Sequence, residues 1–153
     1  MIAKKVFDKC VNNGLTVAFA ESMTGGSLAY EMIKNPGSSQ VIKGSIIAYS
    51  IEQKINLLHL SEAEIIRHSV VSEHVASAMA LSIRKLMKSD IGVAVTGNAG
   101  PDKQDSTSSL EAWIAIDFRG KMSTYRLGFN DLSRIEAIRK TIQFTYEKLN
   151  TCL

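Results

Sequence analysis

One segment of this sequence carries the residue types that acyl-transfer chemistry uses. It runs from Glu21 to Gly26 and combines a carboxylate, two hydroxyls and two glycines directly after an apolar run. Ser22 could act there as a nucleophile at the end of a strand. The N–H groups of Thr24 and Gly25, with that of Gly26, would then lie at a helix N-terminus, which favours a phosphate or an oxyanion. By spacing alone, Ser22 and Thr24 could equally cap the helix.

A second loop, Thr96 to Pro101, follows the most apolar run of the chain, Ile91 to Val95. Its glycines, Gly97 and Gly100, permit close approach between backbone and ligand, and Thr96 supplies a hydroxyl. An ordinary connecting turn would use the same residue types. The loop is therefore a candidate binding site by its position after a strand.

A serine nucleophile needs a base, and the sequence offers histidine or lysine. His59, His68 and His74 fall in a polar helical middle segment away from the predicted strand ends, which favours surface or structural roles. Lys54 follows the second predicted strand, and desolvation in a cleft can lower the pKa of a lysine towards neutrality. On residue chemistry alone, a solvated surface lysine remains the simpler interpretation.

Alternating helices and strands must position these loops. Apolar periodicity predicts strands at 15–20, 41–50, 91–95, 110–118 and 121–128, and longer helices at 2–13, 72–88 and 132–149. Shorter helices are predicted after Gly26, around Lys54 and after a Ser61–Glu64 capping box. This alternation predicts an α/β domain with a mostly parallel or mixed sheet, in which ligands bind beyond the carboxyl ends of the strands.

Composition predicts one domain over residues 1–153, with 45% apolar and 22% charged residues and a net charge of +3. The basic residues form no stripe for nucleic acid, and no run of about 18 apolar residues predicts a membrane span. Cys10 and Cys152 have no metal-type spacing, so we expect a buried helical thiol and a mobile terminal one. With no secretory signal at the start of the chain, these features indicate a cytoplasmic protein.

The loops also carry a resemblance to the CinA C-terminal domain family, which includes nicotinamide mononucleotide deamidases. Similar segments occur in the family's order from about residue 5 to residue 149, nearly the whole chain. They comprise residues 20–26, 36–39, 48–50 with Lys54, 70–73, 96–101, 113–116 and a final helix holding Arg134 and Arg139.

The resemblance implies a three-layer α/β/α sandwich that hydrolyses the carboxamide of nicotinamide mononucleotide, a small nucleotide, without a metal or organic cofactor. It also implies a homo-oligomer. The family's nucleophile corresponds to Ser22 and its catalytic lysine to Lys54, with Tyr49 in the same constellation. The implied substrate-binding residues are Glu21, Thr24, Gly25, Gly26, Thr96, Gly97, Gly100, Arg134 and Arg139, of which Arg134 aligns better than Arg139 with a phosphate contact.

The sequence departs from the family pattern at two places. Met23 replaces a cysteine, and the stretch from Asp102 to Leu110 replaces a Gly-rich loop followed by Lys-Pro-Val-Gly. Leu110 therefore stands where glycine allows close approach, and its side chain either enters the cleft or joins the core. The alternation of Leu110 with Ala112 and Ile114 favours the core, because residues two apart share a strand face.

Two other functions stay open at this point. The altered stretch is compatible with a non-catalytic nucleotide-binding module, and the Ser22–Lys54 pair is compatible with hydrolysis of another small amide. Longer members of the family carry an additional N-terminal domain, which we do not expect here because the first predicted helix begins at residue 2.

Overall fold

The computed structural model describes residues 1–102 and 110–153. Helices and strands alternate along the chain, with one 3₁₀ turn at Ser38–Gln40. The helices are α1 (Ile2–Asn13), α2 (Ser27–Ile33), α3 (Ile51–Asn56), α4 (Glu62–His68), α5 (Glu73–Met87) and α6 (Arg134–Cys152). The strands are β1 (Val17–Glu21), β2 (Ile42–Ile47), β3 (Ile91–Gly97), β4 (Glu111–Phe118) and β5 (Lys121–Gly128). Every predicted element is confirmed, with shifts at the ends.

Serine caps start the four helices that follow β2. The hydroxyls of Ser50, Ser61, Ser72 and Ser133 each accept the N–H of the third helical residue, which satisfies a donor that the helix itself leaves unpaired. The Ser50 cap also ends β2 earlier than predicted. The predicted capping box at Ser61 is half right, since the Glu64 carboxylate lies against two histidines instead.

The five strands form one mixed sheet in the order β2-β1-β3-β4-β5. β2, β1 and β3 run parallel, and β4 and β5 are antiparallel additions on the other side. The predicted α/β class and mixed sheet are therefore confirmed. Because β1 lies between β2 and β3, the carboxyl ends of all three meet at one edge of the sheet.

The two faces of the sheet carry side chains of different size. Val17 and Phe19 of β1 pack into a large-residue core with α1, α2 and α6, whereas Ala18 and Ala20 face α5. A Cβ atom on Gly92 of β3 would lie 2.3 Å from a carbonyl oxygen of α5, so only glycine fits there. Small residues on this face let α5 pack closely, which completes the α/β/α sandwich.

The prediction for the two cysteines is right for Cys10 and wrong for Cys152. Cys10 is buried in α1, which confirms the first expectation. Cys152 was expected to be mobile, yet it is partly buried in the last turn of α6, with its sulfur 3.9 Å from the Tyr125 hydroxyl. No helix within the described part of the chain combines the length and apolarity needed to cross a bilayer.

Candidate active site

A cleft of about 610 Å³ opens at the edge where β2, β1 and β3 end. Ser22 follows β1, Tyr49 follows β2, and Thr96 and Gly97 end β3, so the parallel strands deliver these residues to one place. Helices α3 and α4 and the turn after α4 complete the walls. The lining residues are Ser22, Tyr49, Ser50, Ile51, Lys54, Ile65, Ile66, Val70, Thr96 and Gly97.

Lys54 and Ser22 contact each other at the base of this cleft. The Lys54 Nζ atom lies 3.0 Å from the Ser22 Oγ atom, within the distance expected for a nucleophile and its base. Lys54 is only 1% exposed, although it belongs to a six-residue helix. The predicted convergence of these two side chains is thus confirmed, and the surface-lysine interpretation is wrong.

Two backbone carbonyls fix the orientation of the lysine amine. Lys54 Nζ lies 2.7 Å from the carbonyl oxygen of Ala48 and 3.1 Å from that of Tyr49. A neutral amine has two N–H donors and one lone pair, whereas an ammonium has three donors. In the neutral form, the two carbonyls accept both N–H groups, and the lone pair is left to accept the Ser22 hydroxyl proton.

Burial also changes the protonation of this amine. Removal of the ammonium from water disfavours the charged form and lowers the pKa of Lys54 from 10.5 to about 8. Part of the population is therefore neutral near physiological pH. The amine can then accept a proton from a weak acid such as a serine hydroxyl.

Glu21, predicted to bind substrate, is turned away from the cleft. The carboxylate is 0% exposed and accepts five hydrogen bonds. The donors are the Thr24 hydroxyl at 2.8 Å, the N–H groups of Gly26 at 3.1 Å, Leu28 at 3.0 Å and Ala29 at 3.1 Å, and the Ser45 hydroxyl at 2.9 Å. The buried carboxylate therefore caps α2 and ties it to β2, and Glu21 is not among the described residues that line the cleft.

This arrangement corrects the expectation that Gly25 and Gly26 present free amides to a ligand. The Gly26 N–H is bound to Glu21, and the Gly25 N–H donates to the Ser22 carbonyl at 3.1 Å. The glycines are needed for the turn itself, because Gly25 and Gly26 have φ values of +58° and +95°. Thr24 is buried with its hydroxyl on the carboxylate.

Other peptide N–H groups next to Ser22 remain for an oxyanion. Those of Met23 and Thr24 make no hydrogen bond within residues 1–102 and 110–153. The sulfur of Met23 packs against Gly97. A Cβ atom on Gly97 would lie only 2.4 Å from that sulfur. Gly97 therefore allows close packing between the two loops, and it also lines the cleft.

Arg134 lies at the mouth of the cleft, and Arg139 does not. The Arg134 guanidinium donates to the Tyr49 hydroxyl at 2.9 Å and to the Gly100 carbonyl at 2.7 Å. A small recess beside the main cleft is lined by Ser22, Tyr49 and Arg134. Arg139, further along α6, is exposed and interacts with Glu136. Of the two predicted arginines, the structure brings only Arg134 to the site.

Thr96 and Gly100 each make a hydrogen bond that joins the end of β3, or the loop after it, to a neighbouring segment. The Thr96 hydroxyl donates to the Val70 carbonyl at 2.8 Å, which ties β3 to the turn after α4. Gly100, with φ +81°, offers its carbonyl to Arg134. Val70 and the carbonyl groups of Ala48 and Tyr49 were missed from the sequence. Ala48 and Tyr49 directly follow β2, and this position after a strand is the signal from which their two carbonyl groups could have been predicted at the site.

Leu110 joins the core, as the alternation predicted. It packs against the same buried cluster as Ala112, Ile114 and Ile116, with its Cδ1 2.9 Å from the position that a Cβ on Gly100 would occupy. The side chain therefore supports the Gly100 loop from behind. The rest of the altered stretch, residues 103–109, lies outside the described residues.

Comparisons with known proteins agree with this architecture. A model of the CinA C-terminal domain matches residues 1–153. A protein of Streptococcus equi subsp. zooepidemicus, named competence-damage inducible, is 33% identical over 135 residues, 88% of this chain and 32% of that protein. One of Lysinibacillus sphaericus with the same name is 32% identical over 152 residues, 97% of this chain and 36% of that protein. The chain thus spans about a third of the length of these relatives.

Solved structures match over nearly the full chain. A competence or damage-inducible protein from Enterobacter asburiae superposes with a TM-score of 0.94 at 27% identity, covering 99% of this chain and 95% of that one. A competence damage-inducible protein from Klebsiella pneumoniae gives a TM-score of 0.92 at 29% identity, covering 97% and 92%. The fold is therefore that of the competence/damage-inducible α/β/α proteins. The chain belongs to the CinA C-terminal domain family, as its motifs predicted.

Proposed function

We propose that this chain is a serine–lysine amidohydrolase that converts nicotinamide mononucleotide and water to nicotinic acid mononucleotide and ammonia. The observation that carries the proposal is the buried Lys54 amine, 3.0 Å from the Ser22 hydroxyl at the base of an open cleft. A buried lysine with a lowered pKa beside a hydroxyl is a combination that favours general-base activation of the hydroxyl.

The reaction begins when neutral Lys54 removes the Ser22 proton and Oγ bonds to the amide carbon. The tetrahedral intermediate then expels the amide nitrogen, which receives the proton from the Lys54 ammonium and leaves as ammonia. The product is an ester between Ser22 and the nicotinoyl group. A water molecule, deprotonated by Lys54, attacks this ester and releases the carboxylic acid, and the proton returns to Ser22.

The negative charge that develops on the amide oxygen needs donors close to Ser22. We assign this role to the Met23 and Thr24 N–H groups, which are not used by the Glu21 carboxylate. Donors fixed in this way contribute a few kcal/mol to stabilisation of an oxyanion, about 3 kcal/mol for one group. Because Glu21 fixes the turn that follows Ser22, it holds these donors in place without touching the substrate.

The remaining walls of the cleft suit a mononucleotide. Ile66, 76% exposed, and Ile51 offer apolar surface for a pyridine ring, with Val70 beside them. Arg134 uses two donors on Tyr49 and Gly100, and a guanidinium has five, so donors remain for a phosphate.

Ammonia release from nicotinamide mononucleotide tests the proposal directly. We expect the purified protein to release ammonia and nicotinic acid mononucleotide in equal amounts, and Ser22→Ala to release none. Calorimetry should give Ser22→Ala an affinity for the nucleotide within about tenfold of wild type. A wild-type protein that binds the nucleotide without releasing ammonia would be a binding module, and one that hydrolyses only other small amides would differ in substrate.

Arg134→Ala is expected to raise KM for the mononucleotide about 10- to 100-fold with little change in kcat. The reason is loss of a charge-assisted bond to the phosphate, about 1.5–3 kcal/mol, that is the same in ground and transition states. The matched control is Arg139→Ala on the same helix, which should leave KM unchanged. Equal effects of the two variants in steady-state assays would show that Arg134 has no specific phosphate contact.

A further inference from the structure

A cluster of three metal-ligating side chains lies on the outer surface of helices α4 and α5. Glu64 and His68, four residues apart, share one face of α4, and His74 belongs to the first turn of α5. Glu64 Oε2 lies 3.1 Å from His68 Nε2 and 3.3 Å from His74 Nε2. The two imidazole rings stack with centroids 4.0 Å apart.

The two distances from the Glu64 carboxylate to the imidazole nitrogens fit a small tetrahedral cation. All three ligand atoms lie within 4.8 Å of one another. For metal–ligand bonds of about 2.0–2.1 Å, ligand atoms in a tetrahedron are about 3.3–3.4 Å apart, close to the two carboxylate–imidazole distances. Because the rings are stacked nearly parallel and each lone pair lies in its ring plane, cation binding requires the two rings to rotate out of the stack until both Nε2 lone pairs point to one position beside Glu64.

The donor chemistry narrows the class of cation. Two imidazole nitrogens and one carboxylate oxygen are typical of zinc and related divalent transition ions, whereas calcium and magnesium prefer oxygen ligands only. The neighbouring Glu73 carboxylate accepts a hydrogen bond from Thr124 at 2.7 Å, so it is engaged elsewhere. Three protein ligands leave a fourth position for water. His68 also lies at the C-terminal end of α4, where the helix dipole favours a cation.

We propose that Glu64, His68 and His74 bind a zinc-class divalent cation that joins α4 to α5. Binding replaces the two close imidazole–carboxylate contacts, and the histidines then carry their protons on Nδ1. Ile65 and Ile66, between the two ligands of α4, line the cleft, and Val70 of the turn accepts the Thr96 hydroxyl. The cation would therefore hold one wall of the cleft against α5.

Zinc titration of the tag-free protein tests this site. Isothermal calorimetry should give one Zn²⁺ per chain for wild type, with affinity weakened about tenfold or more in His68→Asn and in His74→Asn. His59→Asn is the matched control, because His59 is outside the cluster and its φ of +58° suits asparagine. Cys152→Ser is a second control, because the partly exposed Cys152 thiol is also a group that can bind zinc. Both controls should bind zinc as wild type does.

Thermal melting supplies an independent readout of the same site. Without metal, the two histidine variants should melt close to wild type, which shows that they fold. Zinc should raise the melting temperature of wild type and His59→Asn by mass action, and much less that of His68→Asn and His74→Asn. The proposal is overturned if wild type binds no zinc saturably, if both histidine variants keep its affinity, or if only one loses it. Since binding is measured without substrate, the outcome is independent of amide hydrolysis.

Discussion

Replacing Ser22 with alanine, Lys54 with methionine, or both should lower kcat for amide hydrolysis to one common floor. The loss is expected to be on the order of 10³-fold or more, because neither the nucleophile nor its base works alone. The two side chains meet at 3.0 Å, so their effects cannot be independent. Steady-state ammonia release from the three variants and wild type measures this.

Lys54→Arg separates proton transfer from charge. Arginine keeps a positive charge but stays protonated at all pH values that a protein tolerates, so it cannot act as a base. We expect it to be as inactive as Lys54→Met. Substantial turnover by a folded Lys54→Arg protein, or additive losses in the double variant, would contradict a serine–lysine pair.

The same pair predicts a pH dependence. In the proposed mechanism the neutral amine is the reactive form, and burial lowers the pKa of Lys54 to about 8. kcat/KM should therefore rise with pH and level off above about 8. The interval from about pH 6 to about pH 9 includes the pKa of Lys54. A kcat/KM profile that is flat across this interval would mean that Lys54 is not the titrating base.

Lys54 should also link stability to pH. In the unfolded chain, Lys54 keeps its ordinary pKa of 10.5. Between about pH 8 and pH 10.5, the unfolded state therefore binds more protons than the folded state. The unfolding free energy of wild type relative to Lys54→Met should rise by roughly 3 kcal/mol across that interval. Cys10, whose pKa is raised to about 11 by burial, has the opposite trend but is present in both proteins. Urea unfolding of the pair at several pH values isolates the lysine contribution.

The position of Lys54 could be predicted because parallel strands bring their carboxyl ends to one edge. Ser22 follows β1 and Tyr49 follows β2, and the Ser50 cap turns the chain into α3, which carries Lys54 back towards the sheet. The sequence pattern could not show that the Lys54 amine is buried and donates hydrogen bonds to two backbone carbonyls. Short helices give no periodicity from which to read the direction of a single lysine.

The direction of Glu21 was open to prediction and was missed. Residues two apart share a strand face, so Glu21 follows Val17 and Phe19 towards α2, whereas Ser22 follows Ala20 towards α3 and α5. The similarity of this loop to a ligand-binding turn outweighed that simple alternation. The Glu64–His68–His74 cluster was beyond sequence reasoning, because it depends on how two helices meet across a turn.

Glu21→Gln is therefore expected to lower stability first and turnover second. Glutamine keeps the size of the side chain but replaces one acceptor oxygen by an NH₂ group. At Oε2, that group would face the Ala29 N–H; at Oε1, it would face those of Gly26 and Leu28. At least one buried N–H loses its acceptor, and the remaining bonds lose their charge assistance. The unfolding free energy should fall by about 2–4 kcal/mol, measured by urea unfolding.

Ser45→Ala is the matched control for Glu21→Gln, since it removes one of the five donors and leaves the carboxylate in place. It should cost only about 1 kcal/mol and leave kcat nearly unchanged. In Glu21→Gln, kcat should fall because the turn holding Ser22 and the Met23 N–H loosens, while KM changes little. A Glu21→Gln protein with wild-type stability and a raised KM would instead place the carboxylate on the substrate. The buried position and five donors of Glu21 argue for the structural outcome.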